Sequence, residues 1–117
     1  MTCDHEQISV ANAMVARKIL KNHLLPSPLR RYPSIDGIVG ARVYVKHENQ
    51  NPTGTFKIRG GINLLHNLTA KGINGKITYS TGNNGTSVAT SARMFNQKSI
   101  ERQNHGNPNE RRKCISP

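Results

Sequence analysis

The first regular pattern along the chain is helical, because apolar residues recur every three or four positions from Ile8 to Leu25. This spacing predicts a helix, and Pro26 ends it because proline cannot continue a helix. Val43 and Val45 then alternate with more polar neighbours, which predicts a strand. The first part of the chain is therefore expected to form a helix followed by a strand.

The middle of the chain predicts a second strand between two further helices. Thr55 is placed to cap a helix from Phe56 to about Leu68. The apolar stripe of this helix comprises Ile58, Ile62 and Leu65. The segment "KITYS" alternates as a strand does, and the helix predicted after "TGNNG" has its apolar residues at Val88, Ala89, Ala92 and Phe95.

The order strand, helix, strand, helix implies parallel strands joined by helical crossovers, which is an α/β architecture. A parallel sheet needs several strands with both faces covered, and the chain offers only two candidates. The predicted fold class is therefore α/β with a partial parallel sheet. Residues 96–117 are polar and basic with no strand pattern, and we expect this tail to be disordered.

Composition limits what such a chain can do. It has 117 residues, 34% of them apolar, and no Trp, so we expect one small domain with a limited core. The formal net charge of +11 invites a nucleic-acid-binding interpretation. The basic residues are spread along the chain without an aromatic stacking face, and direct nucleic-acid binding is therefore not expected.

Two cysteines, Cys3 and Cys114, lie near opposite ends without the spacing of a zinc or redox site. We interpret both as free thiols, and we expect no metal. The sequence shows neither a signal peptide nor an apolar run long enough for a membrane span. A cytoplasmic protein without a membrane partner is the expectation.

Lys57 is the first candidate for chemistry. It falls in the first turn of a predicted helix, where the macrodipole disfavours a cation. Together with partial burial, that position would favour the neutral amine that a nucleophilic lysine needs. Gly60 and Gly61 follow in the same helix, where each is worse than Ala by roughly 1 kcal/mol. The glycines indicate either a close backbone approach to a ligand or tight packing of the helix.

The segment from Ser80 to Gly85 is the second candidate. A strand that runs into this Gly/Asn-rich turn and then a helix presents backbone amides and hydroxyls at the positive end of the helix. Carboxylates and phosphates bind at such sites. The spacing matches neither a Walker loop nor a dinucleotide-binding fingerprint, and a simple turn would explain the segment equally well.

Together, the two segments resemble the pyridoxal-phosphate enzymes of the threonine dehydratase and serine racemase family, which has fold type II. "KHENQNPTGTFKIRGG" is similar to the segment that holds the family's cofactor-binding lysine, and "STGNNGTSVATSARMF" is similar to its asparagine loop. "SPLRRYPSI" resembles the segment that begins these domains. The wording Phe-Lys-Ile-Arg-Gly favours the dehydratase branch over cysteine synthases.

The resemblance implies pyridoxal 5'-phosphate as cofactor and assigns roles to residues. Lys57 would hold the cofactor covalently and act as the base at Cα, with Phe56 and Asn83 also binding the cofactor. Thr81 would stand where the family has a serine hydroxyl near the reacting centre. The substrate, threonine or serine, would be held by Ser80, Thr81, Gly82, Asn83, Asn84 and Gly85.

The sequence also departs from the family pattern. Asn84 replaces the usual His and Thr86 the usual Gln, whereas Thr55 and Thr81 replace serines and keep a hydroxyl. The glycine-rich loop for the cofactor phosphate comes later in the family and has no counterpart here. We therefore expect an N-terminal fragment, inactive alone, whose tail arises from a frameshift or alternative splice after about Phe95.

Three segments follow from the resemblance. Residues 1–51 would belong to a large domain, 52–95 would form part of a small cofactor and substrate domain, and 96–117 would be a divergent tail. The expected function is the β-elimination of a hydroxy amino acid to a 2-keto acid and ammonia, in a family whose full-length members are homo-oligomers. A non-catalytic interaction fragment and a serine racemase are the alternatives.

Overall fold

The computed structural model describes residues 8–80, 82–102 and 113–115. These residues form four helices, five strands and a 3-10 turn in the order α1 (Val10–Leu20), β1 (Leu29–Arg31), α2 (Pro33–Val39), β2 (Tyr44–Lys46), the 3-10 turn Glu48–Gln50, α3 (Lys57–Ala70), β3 (Lys76–Tyr79), α4 (Asn83–Met94), β4 (Ser99–Arg102) and β5 (Lys113–Ile115). None of the helices in these ranges is both long and apolar enough to cross a membrane.

The strands form two separate sheets. β1 and β2 pair antiparallel, with Leu29 opposite Lys46. β3 and β4 pair in parallel across the α4 crossover, and β5 joins β4 antiparallel. The parallel pairing expected between the strand around Val45 and β3 is wrong, because β2 lies in the other sheet beside β1. β3 takes β4 as its parallel partner instead. Neither β1 nor α2 is among the predicted elements, although Ile35, Ile38 and Val39 of α2 have helical spacing.

The core lies between α3 and α4. Ile58, Ile62 and Leu65 are fully buried, which confirms the apolar stripe predicted for α3. Leu24 joins the first two, while Val88 and Ala92 of α4 pack with Leu65. Phe95 is partly buried and contacts both clusters. The helical pair is therefore the packed part of the molecule, as the periodicity of both segments indicates.

α1 confirms a predicted helix but not its extent or burial. It begins after Ser9, whose hydroxyl accepts a hydrogen bond from the Asn12 amide in a capping box, and it contains no buried residue. Ile19 and Leu20, at its end, are the α1 residues that pack against the core. α1 ends at Leu20 rather than at Pro26.

The expectation of a disordered tail is wrong for the tail residues that form strands in the structure. Ser99–Arg102 forms β4 and Lys113–Ile115 forms β5, although neither has a strand pattern in the sequence. Backbone pairing with β3 supplies hydrogen bonds that do not depend on apolar side chains. Gln97 is buried, and its amide donates to Thr69 Oγ1 and to the Ile73 carbonyl. The other tail residues lie outside the described ranges, and the three-segment division stays a prediction.

Candidate active site

Lys57 is the first residue of α3, as the sequence predicts, and its side chain is exposed. The partial burial that would favour a neutral amine is therefore not present at Lys57. Its Nζ lies 5.3 Å from the centroid of the Phe56 ring, which is also exposed. Phe56 occupies the N-cap position, so Thr55 is not the N-cap, but Thr55 Oγ1 accepts a hydrogen bond of 3.3 Å from the Lys57 amide. The amine is thus presented to solvent at the start of the helix.

The Ser80–Gly85 segment connects β3 to α4, as predicted. Asn83 is the first residue of α4. Ser80 Oγ accepts hydrogen bonds from the amides of Gly82, at 3.2 Å, and Gly85, at 3.1 Å. The Ser80 hydroxyl therefore folds the loop around itself, and it uses two of the amides that the sequence offered to a ligand. Thr81 lies outside the described residues, and its assigned role stays a prediction.

The loop keeps part of its capacity to bind an anion. The first four amides of a helix have no partner within the helix. The Gly85 amide donates to Ser80 and the Thr86 amide to the Gly82 carbonyl, whereas no acceptor is recorded among the described residues for the amides of Asn83 and Asn84. The Asn84 side chain donates to Thr78 Oγ1 at 3.3 Å, so it holds the loop to β3. The two amides at the positive end of α4 suit a carboxylate.

A single hydrogen bond brings the two candidate segments together. Ser87 Oγ donates to the Lys57 carbonyl at 2.6 Å, which joins the second turn of α4 to the first residue of α3. One turn after Lys57 on α3, a Cβ added to Gly61 would lie 2.4 Å from Ser87 Oγ and 2.6 Å from Ser91 Oγ. Gly61 therefore allows the close approach of the helices, which decides between the two interpretations of this glycine in favour of tight packing.

A polar cluster lies on the other side of the α3 start. Arg59 donates to both carboxylate oxygens of Glu48, with Nε–Oε2 and Nη2–Oε1 distances of 2.7 and 2.9 Å. Ser27 Oγ donates to Glu48 Oε1 at 2.5 Å, and the buried Asn51 donates to Oε2 at 2.7 Å. Asn51 also donates to the Thr55 carbonyl at 3.2 Å. The cluster ties the loop before Lys57 and the first turn of α3 to the N-terminal half.

Glu48 is held ionised by these contacts. The hydrogen bond from Arg59 is the main cause that lowers the pKa of Glu48 from 4.5 to about 2, with burial opposing the shift and Ser27 and Asn51 supporting it. Charge-assisted, two-pronged pairs of this kind are among the stronger hydrogen bonds in proteins. The pair therefore holds over the whole physiological pH range.

The family assignment rests on a match that covers most of the chain. The chain matches the family described as pyridoxal-phosphate dependent enzyme over residues 20–116. It belongs to this family. The resemblance found in the lysine and asparagine segments is thereby confirmed, and so is pyridoxal phosphate as the cofactor of the family.

Two of the related proteins are enzymes named for amino acids. The chain is 32% identical to the L-threonine ammonia-lyase of Thermotoga maritima over 89 residues, which are 75% of this chain and 22% of that protein. It is 26% identical to the serine racemase of Dictyostelium discoideum over 88 residues, which are 74% of this chain and 27% of the racemase. The chain thus spans about a quarter of the length of these relatives.

A solved structure shows the same fold. A pyridoxal 5'-phosphate-dependent aspartate racemase superimposes with a TM-score of 0.77 at 29% identity, covering 87% of this chain and 33% of the racemase. The predicted α/β architecture, as part of fold type II, is confirmed by this likeness.

The residues present fit the part of a pyridoxal-phosphate site that contains the cofactor-binding lysine. The aldehyde of that cofactor condenses with a primary amine that solvent can reach, and the exposed side chain of Lys57 provides one. The ring of Phe56 offers an exposed apolar surface beside the amine. The roles of Lys57, Phe56 and Asn83 toward the cofactor stay predictions.

Sequence reasoning assigned no role to Glu48, Arg59 and Ser87. Glu48 and Arg59 lie within the quoted lysine segment, and Glu48 is one of only six acidic residues in a basic chain, which was the available signal. Ser87 and Ser91 are four residues apart, on one face of α4, and their small size was the signal for a close helix contact.

Proposed function

We propose that these residues form the lysine and substrate-loop side of a pyridoxal-phosphate-dependent ammonia-lyase that acts on threonine or serine. The carrying observation is the hydrogen bond from Ser87 Oγ to the Lys57 carbonyl, because it joins the candidate lysine to the helix that begins at the candidate substrate loop. The named relatives support this chemistry, since one of them is an L-threonine ammonia-lyase.

In this proposal each residue has a defined task. Pyridoxal phosphate, when bound, supplies an electron sink that stabilises negative charge at Cα of the substrate. Lys57 Nζ would hold the cofactor and would serve as the base that takes the proton from Cα of the substrate. Asn83 would hydrogen-bond the cofactor, and Phe56 would contact it beside the lysine.

The loop from Ser80 to Gly85 would bind the substrate carboxylate. The amides of Asn83 and Asn84 at the start of α4 are its donors, and the helix dipole favours the negative charge. The Thr81 hydroxyl would stand near the leaving β-hydroxyl. Loss of water from the amino acid and hydrolysis of the free imine would give a 2-keto acid and ammonia.

Two further statements belong to this proposal. Serine racemization is the second candidate, favoured by the similarity to the Dictyostelium racemase. We also propose that these 117 residues are inactive alone, because the relatives are about four times longer than the part they share with this chain. Accumulation of a 2-keto acid from L-threonine with the 117-residue chain and cofactor would contradict this statement.

The test uses the chain with excess pyridoxal 5'-phosphate. We expect an absorbance band of the protein-bound cofactor, and after borohydride trapping we expect peptide mass mapping to find the label mainly at Lys57. Lys57→Ala should abolish the band. Lys71→Ala is the matched control, since Lys71 is an exposed lysine at the other end of α3. Label spread evenly over the lysines, or a band that persists in Lys57→Ala, would refute the proposal.

A further inference from the structure

We infer that Ser87 is a positioning residue for Lys57. Its hydroxyl fixes the backbone of the lysine to α4 and thereby sets the lysine in register with the Ser80–Gly85 loop. The inference rests on the proposed role of Lys57, and it adds a residue on the opposite helix that neither the motif nor the family match assigns.

The contact between Ser87 and Lys57 is a buried hydrogen bond with a fixed partner. The Ser87 side chain is 1% exposed, and its Oγ donates to the Lys57 carbonyl at 2.6 Å. Regular α-helical geometry pairs this carbonyl with the Gly61 amide, four residues on, so Ser87 uses its second lone pair. A buried hydroxyl with a fixed partner has little freedom to choose another one.

Because of its position on α4, Ser87 connects the backbone of Lys57 to the candidate anion site. Ser87 lies four residues after Asn83, which is about one helical turn. The lysine backbone is therefore joined to the candidate anion site through one turn of rigid helix. A lysine side chain is long and flexible, so the placement of its amine depends on how well its backbone is fixed.

Ser91 shows that the hydroxyl of Ser87 is not merely a packing atom. Both serines are almost fully buried, and both would contact a Cβ at Gly61. Within the described part of the chain, Ser91 Oγ has no hydrogen-bond partner, whereas Ser87 Oγ has the Lys57 carbonyl. Changing either serine to Ala removes a buried hydroxyl next to Gly61, but only the change at Ser87 also removes the hydrogen bond to the Lys57 carbonyl.

The experiment compares Ser87→Ala with Ser91→Ala in the 117-residue chain. Hydrogen exchange is measured at the α3 amides, with those of residues 65–68 as the internal reference. Ser87→Ala should speed exchange of the Gly61 amide roughly five-fold relative to that reference, the change expected for one neutral hydrogen bond. Ser91→Ala should leave the ratio unchanged. A purely structural loss would speed exchange along the whole helix.

The second measurement uses pyridoxal 5'-phosphate as the probe. After borohydride trapping, the ratio of label at Lys57 to label at Lys71 should fall in Ser87→Ala and stay at the wild-type value in Ser91→Ala. Equal exchange and equal labelling in the two variants would overturn the inference. If Lys57→Ala shows that Lys57 is not the labelled residue, the proposed function fails, and the exchange measurement alone decides the role of Ser87.

Discussion

The N-terminal region, residues 8–50, and the α3–α4 pair follow the same kind of apolar pattern but end in different environments. Val10 in α1 is 80% exposed and Ile38 in α2 is 86% exposed, whereas Ile58 and Ile62 in α3 are fully buried. Helical spacing of apolar residues predicts that a helix forms, but it does not specify what covers the apolar face. The residues proposed for chemistry lie at the start of the packed pair.

Apolar packing and a charged cluster join the regions. Leu24 enters the core cluster with Ile58 and Ile62, and the pair of Glu48 and Arg59 ties the 3-10 turn to the first turn of α3. The N-terminal region is therefore held to the helical pair by few apolar contacts and by one charged cluster. Four substitutions test this difference, in order of decreasing expected effect on the free energy of unfolding.

Truncation in the packed pair should have the largest effect. Ile62→Ala removes a fully buried side chain and should lower the free energy of unfolding by about 2–5 kcal/mol, from lost transfer energy and the cavity left behind. Urea denaturation followed by circular dichroism measures it. A loss below about 1 kcal/mol would mean that the α3–α4 core is loosely packed.

Gly61→Ala should come next. The new Cβ would lie 2.9 Å from the Ser87 carbonyl as well as close to both serine hydroxyls, and such overpacking costs about 1–3 kcal/mol. Gly60→Ala is the matched control, because a Cβ there meets nothing within 4 Å and the helix gains roughly 0.5–1 kcal/mol. Thermal melts that rank the two variants in the opposite order would contradict the close helix contact.

Glu48→Gln should destabilise the join between the regions by about 1 kcal/mol at pH 7, since the pair is partly exposed. The folded-state pKa of Glu48, about 2, lies below its ordinary value of 4.5, so the carboxylate stabilises the fold above pH 4.5 and loses this effect as the pH falls to 2. The gap in melting temperature between wild type and variant should close over that range. A gap that does not depend on pH would show that charge is not the cause.

Val15→Ser, on the exposed face of α1, should have the smallest effect, within about 0.5 kcal/mol. Ala16→Ser serves as its control on the same helix, because Ala16 is only partly exposed. A loss of more than 1 kcal/mol on a urea melt of Val15→Ser would mean that α1 packs in solution, and the contrast between the two regions would disappear.

Much of the candidate site follows from local sequence. The start of α3 at Lys57, the stripe of Ile58, Ile62 and Leu65, and the turn from β3 into α4 all follow from periodicity and turn composition, because these depend on neighbouring residues. The exposure of Lys57 does not follow from them. The exposure of this side chain depends on which other segments of the chain pack against the start of α3.

Strand pairing was beyond the sequence. β1 and β4 are short and carry weak apolar patterns, so only their partners, β2 and β3, reveal them. The hydrogen bonds of a sheet join residues that are distant in sequence, and pattern arguments work within a short window. The polar cluster around Glu48 has the same origin, since Arg59 is 11 residues and Ser27 is 21 residues away along the chain.

The sequence by itself determined the family, the lysine and the loop, because these are carried by contiguous motifs whose backbone chemistry is local. Only the tertiary structure decided what surrounds them. It placed Ser87 on the Lys57 carbonyl and left the face of α1 uncovered. Both depend on the packing of one helix against another, which is a property of side-chain shape rather than of spacing along the chain.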